Sequence, residues 1–383
     1  MIAPHFMQRW PTVDDLRKRA QERMPHVAWE YLDQGTGNEA ALARNMARLA
    51  DVLLVPRFMK GLLQPDLKTK LFGDTYSAPF GIAPVGLAGL MWPEAELHLA
   101  RAAASHLIPY TLSTTGTQTP EAVGALVGDM GWFQLYPPRD ADLRRELLRR
   151  ARAAGFQTLV VTADVPAGSR RERALRAGVS TSSRVTPRFV WQALLHPAWT
   201  VATLKAGLPR LRTVEKYAGS DDMQSVMTFM RNQLGGTLSW DYLKEVRDEW
   251  KGPLVLKGIV HPEDAQHAIA VGVDGIQISN HGARQFDAVP AAIDALALIA
   301  PLARGKAALV FDGGVRTGLD VLRALALGAD FVMLGRAFMY GVAALGPLGA
   351  DHVINILKAE MVTDMHQLGI ERMDQLSDCR HPS

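Results

Sequence analysis

His281 is the residue in this sequence best suited to move a proton. It stands in the run Ser279-Asn280-His281-Gly282-Ala283-Arg284, where a glycine opens the backbone and an arginine follows three positions later. A lone histidine is usually a packed core residue. One grouped with an arginine on a glycine-containing loop suits a general base beside an anion. Asp164 closes a different apolar run and could orient the imidazole ring and stabilise its charged form. Arg284 and Arg171 can each grip a carboxylate through paired N–H bonds. Arg171 has Arg170 and Arg173 beside it, and such a cluster also reads as a solvated basic face. Two more segments suit a phosphate. Asp312-Gly313-Gly314-Val315-Arg316 and Gly335-Arg336 each join backbone N–H groups exposed by glycine to an arginine.

Residues this far apart need a scaffold that gathers them. From Pro79 onward, short apolar runs alternate with amphipathic helices eight times. The runs are 80–83, 110–113, 132–136, 158–162, 254–257, 275–279, 308–312 and 331–334. Helical patterns follow at 94–106, 120–127, 140–154, 262–271, 290–300, 318–327 and after Tyr340. Apolar runs bounded by turn residues suit strands buried on both faces of a parallel sheet. Eight strand–helix units predict an α/β fold, a (β/α)8 barrel. A doubly wound sheet is the rival, weakened because no Gly-x-Gly-x-x-Gly follows the first strand. Residues 1–75 read as an N-terminal helical segment, with no strand before Pro79. Residues 178–238 read as a long insertion after the fourth strand, and 1–383 as a single domain.

Catalytic residues of such barrels lie at the C-terminal ends of the strands. Here those ends carry Ser113, Gln134, Tyr136, Thr162, Asp164, Lys257, Ser279, His281, Asp312 and Arg336. Each alone could be a satisfied strand cap. Together, a buried lysine and so many polar groups are costly without a ligand. One large polar ligand bearing a phosphate across the barrel mouth accounts for them jointly.

Composition removes several classes. Hydrophobic residues make up 48% and charged residues 21% of the 383, which excludes a largely disordered chain. The single cysteine, Cys379, excludes a disulfide framework and a zinc site built on several cysteines, and points to reducing cytoplasm. No His-Glu-x-x-His and no close acidic cluster at the strand ends is present, so no metal is expected. No signal-peptide pattern appears, and the longest uncharged stretches, 75–93 and 189–204, are broken by proline. The net charge is only +3, but Arg170 to Lys216 holds ten Lys/Arg against Glu172 and Glu215. That points to an anionic partner, and without a recognised module it does not point to nucleic acid.

The chain resembles the FMN-dependent L-2-hydroxy acid oxidase/dehydrogenase family along nearly its whole length. The resemblance rests on Ser279–Gln285, on Asp312-Gly313-Gly314-Val315-Arg316-Thr317-Gly318, and on Ala324-Leu325-Ala326-Leu327-Gly328-Ala329. Trp132-Phe133-Gln134-Leu135-Tyr136, Thr162-Ala163-Asp164-Val165-Pro166, and Tyr31 with Gly35, Glu39 and Asn45 also carry it. It implies FMN as cofactor, His281 as base with Asp164 as partner, and Arg171 and Arg284 on the substrate carboxylate. Tyr31 and Tyr136 would touch carboxylate and hydroxyl, and Lys257 would face flavin N1 and O2. Ser113, Gln134, Thr162 and Ser279 would hold the ring and ribityl chain, with Ala83 to Gly86 beneath the ring. Asp312, Gly314, Arg316, Gly335 and Arg336 would form the phosphate end. The implied reaction takes an L-2-hydroxy acid, lactate-like or larger as in mandelate, to the 2-oxo acid. His281 removes either the α-carbon proton or the hydroxyl proton. A homotetramer is implied as well.

Three departures matter. Thr115 stands where glycolate-oxidising members have tryptophan, which implies a roomier pocket. Gly86 replaces the alanine of several oxidases, which favours a dehydrogenase. Ala283 replaces a common glycine. Within the insertion, Trp191, Leu194, Leu195, Trp199, Val201 and Leu204 lie among Arg188, Lys205, Arg210 and Arg212. Tryptophans with basic residues suit an anionic membrane surface. Membrane-bound relatives carry an apolar, basic insertion at this point. The expectation is therefore a peripheral enzyme on the cytoplasmic face of the inner membrane that passes electrons to quinone. The competing readings are a soluble oxidase making hydrogen peroxide, an insertion that is a lid, and a phosphate-binding barrel without redox chemistry.

Overall fold

The structure, a computed structural model, describes residues 4–178, 186–220, 222–234 and 238–381. Parts of the expected insertion, including Val185, therefore lie outside the described residues. Eight strands close into a barrel: β1 (Phe80–Ile82), β2 (Tyr110–Ser113), β3 (Gly131–Leu135), β4 (Thr158–Thr162), β5 (Leu254–Ile259), β6 (Gly275–Ile278), β7 (Ala308–Phe311) and β8 (Phe331–Leu334). Every pairing is parallel, and β8 closes on β1 with Val332 opposite Phe80. The strands are buried on both faces, which is why they read as apolar runs rather than alternating ones. Trp132, Val160, Val255, Val310, Phe331 and Met333 fill the barrel interior. The fourth crossover helix, Trp240–Glu249, was not singled out by periodicity. Ser239 caps it, its hydroxyl accepting from the N–H of Tyr242.

The first 75 residues are not all helical. Helices Val13–Arg23, His26–Asp33 and Ala40–Ala50 match expectation. An extended passage follows, and then a hairpin of Thr69–Leu71 and Asp74–Tyr76. Its two-residue turn, Phe72-Gly73, has both residues at positive φ (53° and 92°), the geometry that matches strand twist. Strands of three residues are too short to show a period. Leu71 and Tyr76 join the interior cluster, and Trp132 Nε1 donates to the Tyr76 hydroxyl at 3.3 Å. The hairpin thus plugs the barrel at the N-terminal ends of its strands, opposite the mouth.

The insertion has two parts. Helices Pro187–Leu195 and Pro197–Ala206 expose apolar side chains: Trp191 is 63%, Leu194 67% and Leu204 76% exposed. Trp199 corrects the expectation that both tryptophans lie on that face. It is buried, its Nε1 donates to the Leu90 carbonyl (3.1 Å), and the Phe189 ring stands edge-on to it. It anchors the helix pair to the barrel. The second part folds back over the mouth. Leu211, Val214 and Val226 form a small core with Leu87 and Met230, and helix Met223–Gln233 roofs the cavity. Buried Arg150 clamps this roof. Its guanidinium grips Glu121 (2.7 and 2.9 Å) and also donates to the Thr213 carbonyl (2.8 Å). The exposed apolar face and the roof over the mouth therefore lie on different segments of the insertion. Among the described residues, the one stretch long and apolar enough to cross a membrane, Arg336–Leu368, is mostly buried inside the protein.

Candidate active site

A cavity of about 580 Å³ opens at the C-terminal strand ends, between the barrel and the roof. His281 and Asp164 meet there. Nδ1 of His281 lies 2.9 Å from Asp164 Oδ1; facing a carboxylate, that nitrogen carries the proton and donates. Nε2 then keeps its lone pair, 3.5 Å from the Tyr136 hydroxyl. Burial lowers the His281 pKa, Asp164 opposes the fall and Lys257 adds to it. Burial disfavours the Asp164 carboxylate, but His281 and Lys257 outweigh it and hold its pKa below the ordinary value. Burial pushes the Tyr136 phenol far up, so it stays a donor. The loop is tightly wound: His281, Gly282 and Ala283 have φ of 57°, 61° and 62°. Ala283 thus occupies a backbone shape that favours glycine. Gly258, at the end of β5, leaves room for Asp164, since a Cβ there would sit 2.5 Å from the Asp164 carboxyl carbon.

A second wall is a chain of polar side chains on neighbouring strands. Ser113 donates to Gln134 Oε1 (2.8 Å), and Gln134 Nε2 donates to the Thr162 hydroxyl (2.9 Å). On the next strands, Lys257 Nζ donates to Ser279 Oγ (2.8 Å) and lies 3.2 Å from Asp312. Ser279 donates to Asp312 in turn (2.7 Å). Burial opposes the Lys257 charge, but Asp312 and Asp164 prevail and hold its pKa above the usual value. Gln277 was missed, although it was legible as the one polar residue of its strand. Its amide donates to Asp312 (2.6 Å).

The third wall is cationic. Arg171, Arg284, Arg316 and Arg336 all line the cavity. Burial, then Arg336 and Arg171, push the Arg284 pKa down to about 9, and burial with Arg316 and Arg171 pushes Arg336 down to about 10. Nε of Arg284 is buried without a hydrogen-bond partner, while its NH2 group donates to the carbonyls of Tyr31 and Leu32. Four arginines lining one cavity make it a favourable place for an anion. Arg336 differs from expectation in one respect: it also donates to the carbonyls of Leu32, Gln34 and Gly282, so it braces the active-site loop. Gly335 begins helix Arg336–Leu345, and Gly313 and Gly314 have φ of 130° and 86°, so Asp312–Arg316 turns sharply beside that helix end. Tyr31 reaches in from helix His26–Asp33, its hydroxyl 3.3 Å from the Gly86 carbonyl. Ala83 and Gly86 line the cavity floor, and a Cβ at Gly86 would meet Thr115 Oγ1 at 2.2 Å. Leu87, Leu211, Met227 and Met230 line the roof side. Spacing in the sequence carried no signal for these apolar contacts.

The predicted site residues line this one mouth, except Ser113, Asp164 and Ser279, which stand one hydrogen bond behind it on Gln134, His281 and Lys257. The family model described as FMN-dependent dehydrogenase matches residues 20–381. The chain belongs to the FMN-dependent dehydrogenase family. Similar proteins include an L-lactate dehydrogenase of Yersinia pestis (strain Pestoides F) and one of Pseudomonas paraeruginosa (strain DSM 24068 / PA7). Each is 39% identical over 365 residues, covering 95% of this chain and 96% of the relative. Among solved structures, the monotopic membrane protein (S)-mandelate dehydrogenase superposes with a TM-score of 0.92 at 33% identity, covering 97% of this chain and 99% of that one. A mandelate oxidase superposes at 0.81 with 32% identity, covering 96% and 97%. The family's FMN fits the residues present. A phosphate answers the arginine cluster and the glycine turns, and the polar chain Ser113–Gln134–Thr162 offers donors and acceptors to a flat heterocycle.

Proposed function

We propose that this dehydrogenase oxidises an L-2-hydroxy acid to the 2-oxo acid. The observation that carries the reading is the unprotonated Nε2 of His281, with the Tyr136 hydroxyl at 3.5 Å and Asp164 behind the ring, in a cavity whose cationic wall includes the orphaned Nε of Arg284. Arg171 and Arg284 bind the carboxylate, and Tyr31 and Tyr136 bound the space in which carboxylate and hydroxyl lie. His281 accepts the proton, and Asp164 stabilises the imidazolium so formed. Ser113, Gln134, Thr162, Lys257, Ser279 and the Asp312–Arg316 and Gly335–Arg336 turns would hold FMN, which would supply the two-electron acceptor. Lys257 places a buried positive charge on the cavity wall, where it would favour negative charge developing on a bound cofactor. The fixed arginines orient the substrate, and the apolar roof excludes water. Anaerobic addition of L- and D-2-hydroxy acids to the purified flavoprotein tests this. The L-acids should bleach the flavin, and bleaching by D-acids alone, or by none, would refute it.

The reading extends to the acceptor and the surroundings. The whole chain acts as one catalytic unit, assembled as a homotetramer. Its exposed helix pair rests on an anionic membrane, and electrons pass to quinone on the cytoplasmic face. Support comes from Trp191, Leu194, Leu195 and Leu204 standing exposed near Arg188 and Lys205, and from the likeness to a monotopic membrane protein. Replacing Trp191, Leu194 and Leu204 with serine spares buried Trp199 and the Leu211 core. The triple variant should lose flotation with anionic vesicles while its flavin is still reduced. Equal flotation of both proteins would refute the surface.

A further inference from the structure

The basic run around Arg171 contains a half-buried arginine, Arg173, that faces three carboxylates. We propose that Arg173 is a positioning residue for substrate recognition, joining the helix that carries Tyr31 to the loop that carries Arg171. The proposal rests on the role given above to that pair. Arg173 lies in helix Glu172–Ala177, which at six residues cannot stand without tertiary support. Its guanidinium meets three carboxylates from the N-terminal segment. Nε donates to Glu30, NH1 to both oxygens of Glu39 (3.1 and 3.2 Å), and NH2 to Asp33 (3.4 Å). Glu30 and Asp33 flank Tyr31 on helix His26–Asp33. Asp33 is itself held by Arg17 (2.8 and 3.0 Å) and by the Tyr340 hydroxyl (2.8 Å), so this side of the junction is rigidly tied to the barrel.

Three more bonds stitch the same seam. The Thr36 hydroxyl donates to the Arg170 carbonyl (2.8 Å), the Gly37 N–H to Glu172 (3.0 Å) and the Ala174 N–H to Gln34 (2.9 Å). The Thr36 N–H donates onward to the Ala283 carbonyl (3.1 Å), linking the seam to the loop of His281. Arg171 bonds within its own loop, to Ser169 Oγ (3.1 Å). Its aim toward the cavity therefore follows from the backbone that Arg173 pins two residues away. A planar fork reaches carboxylates in three directions, whereas a lysine is a point charge on a flexible stem. Arg173 thus makes the distance between Tyr31 and Arg171 a property of the fold rather than of a free loop.

The test uses the holoenzyme and two readouts: flavin reduction against L-2-hydroxy acid concentration, and flavin absorbance changes on titration with oxalate, an unreactive carboxylate. Arg173→Met should keep its FMN and weaken both ligands roughly tenfold to a hundredfold, as displaced binding groups do. Arg173→Lys should fall between it and the parent. Combined with Tyr31→Phe, the Arg173→Met loss should fall short of the product of the single losses, because part of what Arg173 does is place the Tyr31 hydroxyl. Multiplicative losses, or unchanged oxalate affinity, would overturn the proposal. If Arg173→Met does not fold or loses FMN, Glu39→Gln removes one of the three pairings, and unchanged oxalate affinity there overturns it equally. A parent enzyme that binds oxalate in this way but is reduced by no L-2-hydroxy acid would refute the proposed reaction and leave this inference standing.

Discussion

Replacing Asp164 with asparagine removes one negative charge and changes little else in shape. The carboxylate lies 2.9 Å from His281 Nδ1, and both groups are shielded from water. When His281 accepts a proton, the new charge stands about 4 Å from the carboxylate centre, and at an effective dielectric of about 20 their attraction is about 4 kcal/mol. Each 1.36 kcal/mol is about tenfold in rate, so the flavin-reduction step should slow roughly 10²–10³-fold, with asparagine retaining part of the hydrogen bond. Substrate affinity should change far less, because the arginines are untouched. The pH profile supplies the sign. The base works as neutral imidazole, so reduction speeds up as pH rises through its pKa. Burial already depresses that pKa and Asp164 opposes the fall. Without the carboxylate the pKa drops further, and the acid limb of the profile moves to lower pH while the plateau falls. Anaerobic stopped-flow measurement of flavin reduction across pH reads both effects. A plateau within fivefold of the parent, or an acid limb moved to higher pH, would refute the pairing.

Gly86→Ala should raise the hydrogen peroxide formed per substrate oxidised, measured against dye reduction. The added methyl also meets Thr115 Oγ1, so about 1–3 kcal/mol of stability should be lost in thermal unfolding, and regained on adding Thr115→Ala. An unchanged peroxide ratio would remove the argument that this glycine suppresses oxygen use. Met230→Ala opens the roof and should shift relative kcat/KM toward acids with larger side chains by roughly 10-fold, the scale of a methylene or two in an apolar pocket. A series of L-2-hydroxy acids of increasing length checks this, and a flat response would place the side chain away from the roof.

The barrel and its chemistry were legible for one reason. Strands buried on both faces must be apolar, so a lysine at 257 or a glutamine at 134 stands out at a strand end. What stayed hidden depends on partners distant in sequence. Trp191 and Trp199 look alike in a basic, apolar stretch, yet one is exposed and the other bonds to Leu90. Arg171 and Arg173 are equally alike, and only the fold brings Glu30, Asp33 and Glu39 to the second. The plug hairpin escaped because three-residue strands carry too little pattern. Arg336 matched its motif, but its bonds to Leu32, Gln34 and Gly282 join segments that no local spacing relates.

The central claim is that His281 is the base in oxidation of an L-2-hydroxy acid. It is tested most directly by a single anaerobic turnover of His281→Gln beside the parent, both loaded with FMN. The parent flavin should bleach with an L-2-hydroxy acid, while the variant, with FMN and unreactive-carboxylate affinity retained, should reduce roughly 10²–10⁴-fold more slowly or beyond. Flavin reduction in His281→Gln at a rate near the parent's would contradict the account.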